Sequence, residues 1–109
     1  MQLQPSPFEM IKDGKKTIEL RLFDDKRRKI QIGDTISFTN TASREIIEVK
    51  VLELLVFDSF ETLYSELPLL DCGYTEDDID AASPDDMVAY YPKEMQQKYG
   101  VVGIKVALL

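Results

Sequence analysis

Histidine is absent from this chain of 109 residues, and cysteine occurs once, at Cys72. Without imidazole, and with a single thiol, the tetrahedral nitrogen and sulfur cage of a structural zinc site has no donors. A lone cysteine has no internal disulfide partner, which fits a reducing, cytoplasmic compartment. No imidazole is present to activate Cys72, so a Cys–His nucleophile is excluded. No apolar run approaches the ~20 residues that cross a bilayer. The start, Met1-Gln2-Leu3-Gln4-Pro5, lacks the basic residues and apolar stretch of a signal peptide. Neither G-x-G-x-x-G nor G-x-x-x-x-G-K occurs, which argues against a nucleoside-triphosphate enzyme.

Positive charge is also scarce. Thirteen bases against twenty acids give a net charge of −7, unsuited to broad, non-specific attraction to nucleic acid. The distribution is uneven. The first fifty residues hold ten bases and eight acids, and the remaining 59 hold three bases and twelve acids. The densest basic run is Lys26-Arg27-Arg28-Lys29, either a patch for a polyanion or a solvated loop. The acids between Asp71 and Asp86 lack the alternating ligands, central glycine and terminal glutamate of a calcium loop. They compensate helix N-termini instead, and the chain is expected to bind no metal and to carry no cofactor.

One stretch carries the chemistry: Gly14-Lys15-Lys16-Thr17-Ile18-Glu19-Leu20-Arg21. As a strand it alternates, with Ile18, Leu20 and Leu22 on one face and Thr17, Glu19 and Arg21 on the other. The turn at Gly14 can swing Lys16 toward the polar side. An ammonium, a carboxylate and a guanidinium meeting in one pocket can hold an anion, polarise a carbonyl or activate water. The plainer alternative is a solvated strand face laced by ion pairs.

Gly14, Lys16, Glu19 and Arg21 resemble the Gly-x-Lys-x-x-Glu-x-Arg signature of the ASCH domain, a branch of the PUA-like superfamily. The preceding short helix, the Gly33-Asp34 turn and the stretch Tyr99-Gly100-Val101-Val102-Gly103-Ile104 extend the likeness over nearly the whole chain. The resemblance implies a single α+β domain over residues 1–109: a small mixed β-barrel with short helices packed around it. It also implies a cleft beside the signature strand suited to RNA or a nucleotide. One branch of similar small proteins hydrolyses N4-acetylcytidine with the signature lysine, and there the position matching Glu19 carries a nucleophilic threonine. This chain has a carboxylate at that position, so the covalent route does not carry over.

Other signals place the elements. Ser6 is expected to cap a helix with Pro7 at its first position and Gly14 at its end. Ile30 and Ile32 alternate into the Gly33 turn, and Ile36 and Phe38 alternate out of it. Glu45 to Phe57 reads as a long, bent strand. Asp58 or Ser59 caps a helix bearing Phe60, Leu63 and Tyr64. Thr75-Glu76-Asp77-Asp78 is expected to open a short helix, and Ser83-Pro84-Asp85-Asp86 another that carries Met87 to Tyr91. A helical stretch from Lys93 to Tyr99 precedes a closing strand, Val101 to Leu109.

Two roles suit the signature residues. In a binding module Lys16 and Arg21 contact phosphate, Glu19 accepts from an exocyclic amine, and Tyr99 stacks on the base. In an amidohydrolase Glu19 is the base or orients Lys16. Lys16 is then a base or an oxyanion donor, Arg21 holds the substrate, and Thr17 is a fallback nucleophile. Tyr90 and Tyr91 offer further stacking faces, or serve as core edge with wet hydroxyls. A third possibility is a protein-interaction domain whose acidic C-terminal half meets a basic partner, the signature strand being purely structural.

Overall fold

The computed structural model describes residues 1–109. Its five strands are β1 (Gln2–Leu3), β2 (Ile18–Leu22), β3 (Thr35–Asn40), β4 (Ile46–Phe57) and β5 (Val101–Leu108). They form one sheet in the order β1-β3-β4-β5-β2, with β1 parallel to β3 and every other pair antiparallel. Three α-helices accompany it: α1 (Pro5–Lys12), α2 (Phe60–Glu66) and α3 (Lys93–Tyr99). The sheet curls into a half-barrel, an α+β architecture.

The β-branched run of β4 makes it the spine of the sheet. Its first residues pair with β3, and from Val49 onward it pairs with β5. A bulge between Val51 and Glu53 bends it, as the length of the strand requires. Both faces of the curl are covered. On one, Phe8 and Ile11 of α1 pack with Phe38, Val49, Val51, Val102 and Ile104. On the other, Phe60 and Leu63 of α2 pack with Ile18, Leu20, Leu22 and Val101. Gly103 lets α2 approach, since a Cβ there would lie 3.0 Å from both Ile18 Cγ2 and Leu67 Cδ1.

This register decides where the charges go. Glu19 stands opposite Ile104 and Arg21 opposite Val102, so both point to the α1 side of the sheet, among its apolar residues. β2 and β1 are the two free edges of the sheet. The guanidinium of Arg21 joins them, its Nη2 donating to the Gln2 carbonyl at 2.9 Å.

Several local expectations change. Helix α1 starts at Pro5, with Gln4 at the cap and no side-chain bond, because Pro5 already holds a helical φ two residues before Pro7. Ser6 is therefore inside the helix. Ile30 to Ile32 form no strand: Arg27–Lys29 make a 3-10 turn, and the Asp34 carboxylate accepts from the Gln31 amide at 2.8 Å. The short alternation there was a turn with one exposed isoleucine, Ile32. Thr75 to Asp78 also form a turn, followed by a 3-10 turn at Ile79–Ala81. Ser83 does cap Pro84 in a capping box closed by Asp86, but only one 3-10 turn (Pro84–Met87) follows. Ser59 caps α2, accepting from the Thr62 amide.

Candidate functional site

The chain leaves α1 through Gly14, whose positive φ of 78° allows a tight turn. The amides of Lys15 and Lys16 both donate to the Met10 carbonyl, at 2.8 and 3.1 Å. This anchors Lys16 just ahead of β2. Its side chain then runs past Gly73, where an added Cβ would lie 3.2 Å from Lys16 Cδ and 3.6 Å from Nζ. Gly73 also sits at φ +110°, a conformation that side-chain-bearing residues rarely adopt. The loop after α2 thus presses a bare backbone against the lysine stem.

Lys16, Glu19 and Arg21 meet. Lys16 Nζ is 2.8 Å from Glu19 Oε1, while Arg21 Nε and Nη2 both reach Oε2 at 2.9 Å. The carboxylate takes one cation on each oxygen. Glu19 is 3 % and Lys16 9 % exposed. Burial pushes the Glu19 carboxyl up, but the ammonium of Lys16 and the guanidinium of Arg21 outweigh it and hold the group below the ordinary range. The cluster carries one net positive charge.

These residues line a cleft of about 440 Å³ that straddles the free edge of β2. Met10 and Pro7 of α1 form one side, and Cys72, Tyr74, Met87, Tyr90 and Tyr91 form much of the rest. Tyr91 stacks on Phe60, with ring centroids 6.1 Å apart, which fixes its plane. Burial raises the Tyr91 phenol, with Arg21 pulling the other way. Burial also pushes the Cys72 thiol up to about 11, against the pull of Lys16, so it stays protonated near neutral pH.

Two expected residues lie elsewhere. Thr17 precedes β2, its amide donating to the Asp71 carbonyl and its own carbonyl accepting from Val106. It borders a separate hollow with Gly14, Leu52 and Lys105. Backbone pairing to two neighbours holds it off the polar face that simple alternation assigns it. Tyr99 is also outside the cleft. Its carbonyl accepts from Arg28 Nη2 at 3.0 Å, and Lys98 Nζ lies 5.1 Å from its ring. The aromatic positions in the cleft are instead Tyr64, Tyr74, Tyr90 and Tyr91. Spacing could not single out Tyr64 and Tyr74, because only the fold of the loop after α2 brings them to β2.

A family profile for the ASCH domain matches residues 1–109. The chain belongs to the ASCH domain family, within the PUA-like fold. Among solved structures it is similar to the hypothetical protein PH0355, at 33 % identity and a TM-score of 0.82, over 100 % of this chain and 96 % of that one. It is also similar to protein PF0455 from Pyrococcus furiosus, at 34 % identity and a TM-score of 0.74, over 100 % and 94 % respectively. No curated protein matches the chain. No helix is long and apolar enough to cross a membrane.

Proposed function

We propose that the cleft binds a nucleotide, free or within a short RNA. The observation that carries this reading is the convergence of Lys16, Glu19 and Arg21 in a cleft that four tyrosines also line. Glu19 has no oxygen free and a lowered pKa, so its role is to hold two cations in place. Lys16 keeps two N–H groups beyond its contact with Glu19, and the Arg21 guanidinium also reaches the Tyr91 phenol in the same cleft. Two cations lining one cleft suit an acceptor such as a phosphate or a base carbonyl. The exposed ring of Tyr90, at 70 %, offers a stacking face, worth about 1–3 kcal/mol where a base covers such a ring.

The same geometry argues for binding over amide hydrolysis. A general base near neutral pH needs a pKa near the working pH, and Glu19 is displaced the other way. The Cys72 thiol is protonated, and Thr17 is outside the cleft. Calorimetric titration with adenosine, cytidine, inosine and uridine 5′-monophosphates tests the reading. Lys16→Ala is expected to weaken binding at least tenfold, as loss of a charge-assisted contact does. No heat with any nucleotide or short RNA removes the proposal. Steady release of acetate from N4-acetylcytidine, lost in Lys16→Ala, would replace binding by hydrolysis.

A further inference from the structure

A second group of polar side chains lines the cleft, and its hydrogens are already committed. Tyr74 donates its only O–H to Asp86 Oδ2 at 2.7 Å. The Tyr64 and Tyr74 hydroxyl oxygens lie 2.7 Å apart. Since the Tyr74 proton is used on Asp86, Tyr64 is the donor in that contact. Burial keeps both phenols above their ordinary values, so they stay protonated. Tyr64 then has no hydrogen left and its lone pairs are free. Asp86 Oδ2 also accepts from the Ser83 amide at 3.2 Å, while Oδ1 has no partner.

What this wall offers a ligand is therefore two acceptors, the Tyr64 oxygen and Asp86 Oδ1. Each belongs to a group bonded to the same Tyr74 oxygen, and both residues line the cleft. The Lys16 and Arg21 wall offers donors. A ligand that satisfies both presents acceptors at one end and hydrogens at the other. An exocyclic amine supplies two N–H groups, a ring N–H one, and a carbonyl none. Resting on the nucleotide reading above, we propose that Tyr64 and Asp86 select a nucleobase bearing an exocyclic amine over its keto counterpart. This moves amine recognition from Glu19, which is buried with a cation on each oxygen, to the Tyr64–Tyr74–Asp86 chain.

The paired nucleotides read this directly, since adenosine and inosine monophosphates, like cytidine and uridine monophosphates, exchange an amine for a carbonyl. The wild-type protein is expected to bind the amine member of each pair about tenfold tighter. In Asp86→Asn the carbonyl oxygen stays with Tyr74 and Ser83, which puts the amide NH2 where Oδ1 was. The preference is then expected to vanish or reverse. Tyr64→Phe removes the other acceptor and is expected to shrink the ratio, an independent check should Asp86→Asn disturb its capping box. Equal binding within both pairs by the wild type, or an unchanged ratio in both variants, overturns this inference while leaving the nucleotide reading intact. Failure of all four nucleotides to bind overturns this inference, and failure of short RNA as well overturns both.

Discussion

Glu19 is a carboxylate with a cation on each oxygen, and its pKa makes that arrangement a pH-dependent part of the fold. Because its folded pKa lies below the ordinary glutamate value of 4.5, its stabilisation is complete above that value. It is lost as the pH falls through the lowered folded value. Glu19→Gln is therefore expected to flatten the acid limb of a stability–pH curve measured by thermal unfolding, and to destabilise most at neutral pH. Glu19→Ala, which leaves two buried cations uncompensated, is expected to cost about 3–5 kcal/mol. The residues behind this were legible before the fold was known: the alternation of Ile18, Leu20 and Leu22 implied that Glu19 and Arg21 share a face. That the face turns inward, beside Val102 and Ile104, was not legible, because it depends on β5 pairing from eighty residues away in the chain. Alternation alone assigns Thr17 to the polar face, and the family resemblance brings Tyr99 toward the cleft. Long-range backbone bonds hold Thr17 beside another hollow, and the Tyr99 carbonyl accepts from the Arg28 side chain outside the cleft.

At the level of elements, the loop after α2 shapes the site as much as β2 does. Gly73→Ala imposes a side chain at φ +110° and crowds Lys16 Cδ at 3.2 Å. It is expected to cost about 1–3 kcal/mol in denaturant unfolding and to weaken nucleotide binding as Lys16 shifts. Arg21→Lys keeps the charge but loses the planar fork that serves Glu19 and Gln2 together. Faster amide exchange in β1 and its partner β3 is the expected outcome, read by hydrogen–deuterium exchange. Element types were readable where capping chemistry was explicit, as at Ser59 and at Gly100 after α3. They were misread where it was shared. Ser83, Pro84 and Asp86 carry a helix-opening signature, yet Asp86 is bonded to Tyr74 and the segment stops after one 3-10 turn. The expected helix carrying Met87 to Tyr91 could not show that Tyr90 and Tyr91 line a cleft.

For the whole molecule, a charge of −7 coexists with a cleft whose charged cluster is net positive. The acid-rich second half limits how many phosphates can be engaged. Binding of short RNA is expected to show a shallow salt slope, near one or two times the roughly −0.7 per phosphate of single strands. A fluorescence titration across salt concentrations checks this, and a slope equal to five or more phosphates would place the main contact elsewhere, at Lys26 to Lys29. The barrel-like α+β class was legible mostly through the family resemblance of the Gly14 to Arg21 signature, with the strand run of β4 and the closing strand in support. The two-sided burial was not, because α1 and α2 cover opposite faces of one sheet.

The bond from Arg21 to the Gln2 carbonyl makes one guanidinium the latch across the seam of the sheet. Any occupant at free concentration c that keeps this latch shut stabilises the fold by RT ln(1 + c/Kd), so the melting temperature rises with the logarithm of its concentration. One that recruits Arg21 for itself must unfasten the seam first, and that cost appears as a weaker Kd. Of two ligands that otherwise make the same contacts, the one that leaves Arg21 on the Gln2 carbonyl therefore binds more tightly and protects the protein better against heat.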